Sequence, residues 1–100
     1  MDIETFTLGR LEIGTGWPPV VVPEAGINHG GSLERALDLV RSAESAGAKV
    51  IKFQTHIPDE EMIPTDIVPE GISSESLWDI ISRCSLSTDD ERKVADECER

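Results

Sequence analysis

Glu24-Ala-Gly-Ile-Asn-His-Gly-Gly31 and, one helix later, Lys52-Phe-Gln-Thr55 decide how this chain folds. The first follows Val20-Val-Val22, a brief β-branched run that ends at Pro23-Glu24; the second completes Val50-Ile-Lys-Phe-Gln54. A run as short as Val20–Val22 and apolar on both faces suits a parallel strand buried between layers. Between them Ser32 is a good N-cap and Glu34 suits the first turn of a helix. Leu33, Ala36, Leu37, Val40 and Ala43 then recur at spacings of three and four, and Gly47 stands where a helix ends. Strand, helix and strand joined this closely form a βαβ unit, right-handed by default. Both polar stretches then reach the same strand edge, which is where α/β folds bind their substrates.

Strand side chains alternate, so Glu24 shares a face with Val20 and Val22, while Lys52 and Gln54 share one with Val50. Ile51 and Phe53 point the other way, under the helix. A carboxylate, an ammonium and an amide are therefore expected to converge at one mouth. The plainer alternative is a buried Glu24–Lys52 ion pair, although such pairs contribute little net stability. Lys52 offers a point charge for phosphate or carboxylate, and Gln54 offers a donor and an acceptor for a sugar hydroxyl or amide. Asn28 and His29 either satisfy loop backbone groups or line the pocket, in a turn that Gly30 and Gly31 permit. His56, after Thr55, stands close enough to the second strand's end to reach a substrate.

Outward from this core, residues 4–13 alternate around Gly9-Arg10 as a short hairpin, and Gly14-Thr-Gly-Trp-Pro-Pro19 is a loop. From His56 to Ile72 periodicity dissolves among Pro58, Pro64, Pro69 and Gly71; connections this long are usually functional or disordered. Leu77, Trp78, Ile81 and Cys84 give a short helix, and Thr88-Asp-Asp-Glu91 is a capping box for another. Two parallel strands need neighbours, and a (β/α)8 barrel needs about 250 residues. The expectation is an N-terminal portion of a (β/α)8 TIM barrel: residues 1–100 supply the first two βα units after a short β-hairpin. The alternative is a complete small α/β domain.

Charge excludes some partners. Twenty acidic against nine basic residues leave a net charge of −11, with 13 acids and 5 bases in residues 51–100 alone. Nucleic acid and anionic membranes require clustered Lys and Arg, so neither is expected. No apolar stretch could span a bilayer and no charged-then-apolar leader pattern opens the chain, which points to the cytoplasm. Cys84 and Cys98 match no metal or redox spacing and read as buried reduced thiols.

These residues together resemble the sialic acid synthase family, that is, N-acetylneuraminate synthases with their legionaminate- and pseudaminate-type relatives. The resemblance rests on Glu24-Ala-Gly-Ile-Asn-His-Gly-Gly31, Ser45-Ala-Gly-Ala48 and Lys52-Phe-Gln-Thr55, with Leu77-Trp-Asp-Ile-Ile81 and Leu86-Ser87 behind them, and covers most of residues 18–100. Gly30, where the family commonly has Asn, and His56, where many relatives carry an aromatic residue, depart from it. The resemblance implies condensation of phosphoenolpyruvate with an N-acylated amino sugar such as N-acetylmannosamine, releasing phosphate. It implies a divalent metal (Mn or Mg) that polarises the sugar aldehyde, with its histidine ligands beyond residue 100 and none within this chain, and a homodimer at full length. By position, Lys52 would hold phosphoenolpyruvate, Gln54 would contact one or both substrates, and Glu24 would be a catalytic or sugar-orienting carboxylate. The hundred residues alone are expected to be inactive. Two other readings remain: a Schiff-base aldolase using Lys52, and a non-catalytic fragment that binds a partner.

Overall fold

The computed structural model describes residues 4–100; the leader reading above includes residues 1–3, which lie outside them. Strands β1 (Phe6–Leu8) and β2 (Leu11–Ile13) pair antiparallel, Phe6 opposite Ile13 and Leu8 opposite Leu11. Gly9, at φ 60°, takes the first central position of the two-residue turn, as a type II′ hairpin requires.

The parallel pair lies later in the chain than its apolar run suggests. Strand β3 is Glu24–Gly26, and β4 is Lys52–Phe53. Glu24 pairs with Lys52 and Gly26 with Phe53, so Ala25 is an extra residue in the ladder. Val20–Val22 forms no strand among the described residues, and Val21 is 78% exposed. Pro18, Pro19 and Pro23 explain the correction, because prolines flanking the run have no N–H to offer a ladder. Only the Pro23 carbonyl takes part, accepting from the Lys52 amide at 2.9 Å. The Gln54 amide extends the pairing to the Gly26 carbonyl at 3.3 Å.

Helix α1 (Leu33–Ser45) starts at Ser32, whose Oγ accepts from the Arg35 amide at 3.3 Å. It closes on Gly47 at φ 90°: the Ala48 amide reaches the Ala43 carbonyl and the Gly47 amide reaches that of Glu44. That is the Schellman arrangement, which satisfies two of the orphan carbonyls at the helix end. Its apolar stripe packs Ala36 and Val40 against Val94 of α4 (Thr88–Glu99), with Leu33, Leu37, Ile51, Phe53 and Leu86 around them. Ile51 and Phe53 thus face the helices, as alternation requires.

Helix α4 is capped one residue earlier than the capping box suggests. Ser87, not Thr88, accepts from the Asp90 amide at 3.1 Å. A serine followed by three first-turn acids serves as well as a threonine. Helix α3 (Leu77–Arg83) is capped likewise by Ser76. Between β4 and α3 the chain makes only the single turn α2 (Pro58–Glu61), and Ile63 and Ile72 stand 85% and 81% exposed. The fold is α/β, with α1 and α4 packed on one face of the parallel pair and the C-terminal strand edge open; Cys84 is buried as expected, whereas Cys98 on α4 is exposed.

Candidate functional site

Gln54 and Glu24 meet across the parallel pair. Gln54 Nε2 donates to Glu24 Oε1 at 3.1 Å, on the face opposite Ile51 and Phe53, which pack against α1 and α4. Gly26 lies beneath that amide: a Cβ there would stand 3.7 Å from Gln54 Nε2, and its φ of 55° favours glycine. Lys52 sits opposite Glu24 in the ladder and alternates with Phe53, so it takes the same face as Gln54. Glu24, Lys52 and Gln54 are all exposed, and among the described residues Lys52 forms no ion pair. A buried Glu24–Lys52 salt bridge is therefore not what these residues make. They leave a carboxylate oxygen, an amide and an ammonium available at one edge.

Asn28 and His29 lie elsewhere. Asn28 is exposed and borders a hollow of about 240 Å³ with Arg35, Asp38, Leu39 and Ser42, on the side of α1. His29 is 1% exposed and stacks on Phe53 with ring centroids 6.1 Å apart. At that burial His29 takes the other role the sequence left open, that of satisfying a loop backbone group, rather than presenting its ring at the open face. His29 Nδ1 accepts from the Gly31 amide at 3.0 Å, so the neutral ring carries its hydrogen on Nε2. Nε2 has no partner among the described residues. Burial lowers the His29 pKa, and the nearby Glu91 carboxylate opposes the shift only in part.

Gly31 explains why this turn is so tight. A Cβ there would come within 2.2 Å of the Arg83 carbonyl oxygen, so the end of α3 packs onto bare backbone.

The structure adds Glu61 and Glu91, which sequence reasoning did not select, to residues that it did. Gln54 Oε1 lies 3.1 Å from His56 Nε2, and His56 Nδ1 lies 2.6 Å from Glu61 Oε1. Glu61 Oε2 also accepts from the Ile57 amide at 3.2 Å. The hydrogen bond from His56 holds the Glu61 carboxyl below the usual carboxylate range. On the helical side, Thr55 Oγ1 donates to Glu91 Oε2 at 3.1 Å. Glu61 sits in a stretch without periodicity, so no sequence signal marked it. Among the described residues no group of three or more His, Cys, Asp or Glu could hold a metal ion.

Comparison with known proteins agrees with the motifs. A pseudaminic acid synthase of Campylobacter jejuni is 41% identical over 59 residues, covering 59% of this chain and 17% of that protein. The N,N'-diacetyllegionaminic acid synthase of Legionella pneumophila is 41% identical over 46 residues, covering 46% and 13%. The crystal structure of an N-acetylneuraminic acid (sialic acid) synthetase from Leptospira borgpetersenii superposes with a TM-score of 0.77 at 26% identity, covering 98% of this chain and 31% of that one. The chain thus spans less than a fifth of the length of these curated relatives. Residues 39–100 match the NeuB family. This chain belongs to the NeuB family, that of the sialic-acid-type synthases.

Proposed function

We propose that these hundred residues are the N-terminal portion of a (β/α)8 barrel that condenses phosphoenolpyruvate with an N-acylated amino sugar such as N-acetylmannosamine, releasing phosphate. The observation that carries this reading is the Gln54–Glu24 hydrogen bond across the parallel pair, beside a Lys52 that makes no ion pair among the described residues, in a chain of the NeuB family. Lys52 binds the phosphate or carboxylate of phosphoenolpyruvate as a fixed cation, in a chain otherwise dominated by acids. Glu24 keeps Oε2 free of Gln54 and orients a sugar hydroxyl through it. Gln54 contacts the same substrate through its amide.

The residues described here do not form a divalent metal site by themselves. Glu24 is a single carboxylate, and its neighbour is an amide rather than a second anion. The Mn or Mg expected of the family would take its ligands from beyond residue 100. The acidic chain and the absence of any described helix long and apolar enough to cross a membrane fit a cytoplasmic enzyme acting on small molecules, as a homodimer at full length.

The test is phosphate release from phosphoenolpyruvate and N-acetylmannosamine by the full-length protein, with and without Mn²⁺. Metal-dependent release of phosphate coupled to loss of the sugar is expected. Release without sugar consumption, or covalent trapping of the pyruvyl unit on Lys52 by borohydride, overturns the reading in favour of other chemistry.

A further inference from the structure

We infer that His56, held by Glu61, is the positioning residue that fixes the amide of Gln54 against Glu24. The inference deepens the reading above and rests on it for the claim that Gln54 meets a substrate.

Which atoms can donate fixes the arrangement. A carboxylate only accepts, so the Gln54 atom 3.1 Å from Glu24 Oε1 is the amide nitrogen. Gln54 Oε1 must then face His56, and an amide oxygen also only accepts, so His56 Nε2 donates to it at 3.1 Å. On the other side of the ring, Glu61 is again an acceptor, so Nδ1 donates at 2.6 Å. That is the short distance of a charge-assisted hydrogen bond. Both ring nitrogens donate when all three contacts are made. Glu61 is itself anchored, because its second oxygen accepts from the Ile57 amide and closes the turn around α2.

The direction of the series follows from its end. Glu24, an acceptor only, takes the amide nitrogen of Gln54; the amide oxygen then takes the Nε2 hydrogen of a His56 ring that carries hydrogen on both nitrogens, its Nδ1 hydrogen being held by Glu61. A flipped amide would place oxygen against the Glu24 carboxylate and nitrogen against a ring that is itself donating. The site therefore presents one fixed arrangement, a spare N–H of Gln54 beside the free Oε2 of Glu24. A hydroxyl, which accepts from one group and donates to the other, fits that pair. A phenylalanine at position 56 has no donor to supply such a restraint, so Gln54 would be free to present either end.

Kinetics of the full-length protein with phosphoenolpyruvate and N-acetylmannosamine test this through Gln54→Ala, His56→Phe, Glu61→Gln and the doubles with Gln54→Ala. Gln54→Ala is expected to raise the sugar KM about tenfold, as loss of a hydrogen-bonding group to substrate does. His56→Phe is expected to raise it several-fold with a smaller change in kcat, and Glu61→Gln less. In the Gln54→Ala background neither should add anything, because both act through Gln54. Effects of His56→Phe and Glu61→Gln that persist undiminished there, or that are absent from the parent, overturn the inference. An unaltered KM in Gln54→Ala overturns instead the placing of Gln54 at the substrate. A second measurement needs no turnover: with ¹⁵N-histidine labelling, and His56 identified by its loss in His56→Phe, its ring resonances should shift in both Gln54→Ala and Glu61→Gln. Resonances that ignore both changes overturn the inference even if the assay is silent.

Discussion

Two loops leave the same edge of the parallel pair, each carries a histidine, and the two histidines end in opposite surroundings. The turn after β3 buries His29 against Phe53 and spends one ring nitrogen on the Gly31 amide. The turn after β4 holds His56 between Gln54 and Glu61 beside the open face. Backbone makes the difference. Gly30 and Gly31, at φ 62° and 83°, let the first loop fold under the sheet and let α3 close onto it. The second loop runs through Pro58 into a single helical turn, which returns Glu61 toward the strand. One loop is part of the packing and the other is part of the polar face. Changes in the first should therefore strike stability and changes in the second should strike turnover.

The sharpest way to break that contrast is Gly31→Ala. Its Cβ would lie 2.2 Å from the Arg83 carbonyl oxygen at a backbone φ of 83°. The expected loss is about 3 kcal/mol or more, seen as a lower denaturant midpoint of the full-length protein. Glu61→Gln, in the other loop, should leave the denaturant midpoint nearly unchanged. Equal losses in the two variants would erase the distinction. Next in size is Lys52→Ala, which should leave the midpoint nearly unchanged and impair the use of phosphoenolpyruvate. A fixed cation on an anion contributes about 1.5–3 kcal/mol per hydrogen bond, or roughly 10- to 100-fold in kcat/KM. Unaltered kinetics would remove Lys52 from the site.

Smaller again is Ser32→Ala, at the junction of the first loop with α1. Ser32 Oγ satisfies one helix amide at the exposed N-terminus, so about 1 kcal/mol of stability is at stake. A similar loss of turnover with unchanged stability would show that the first loop reaches the site after all.

How much of this was legible in the sequence depended on how local each cause was. Ser32, Gly47 and the stripe from Leu33 to Ala43 specify α1 through contacts within a few residues, and the helix matches them. The pairing of Gln54 with Glu24 was also within reach, because alternation along a strand fixes which side chains share a face. Val20–Val22 misled because its apolar character is clear while the prolines around it decide the ladder. The role of His29 was not legible for a different reason. Burial of a polar ring under a sheet depends on Phe53 and on α4, more than twenty and sixty residues away, and no spacing around Asn28-His-Gly-Gly31 encodes that. Glu61 was invisible because a single turn in an aperiodic stretch carries no pattern.

The smallest expected effect is a slope rather than a loss, and it belongs to His29. Burial lowers its folded pKa below the ordinary value of 6.5, with Glu91 pulling the other way. The unfolded chain therefore binds a proton more readily than the folded one as pH falls below about 6.5. The stability that His29 contributes as a neutral ring is fully present above that value and is lost as pH falls toward the folded pKa. Between about pH 7 and 5, where most carboxylates remain ionised, the denaturant midpoint should decline with acidification. His29→Asn keeps an acceptor for the Gly31 amide and removes the titration, so it should lower the midpoint overall while flattening its dependence on pH. Glu91→Gln should do the reverse and steepen it, because it removes the carboxylate that favours the charged ring. A parent and a His29→Asn variant with parallel pH profiles would mean that the first-loop histidine titrates freely. It would then have to face solvent, as a substrate-binding residue does, and the contrast between the two loops would fail at its central residue.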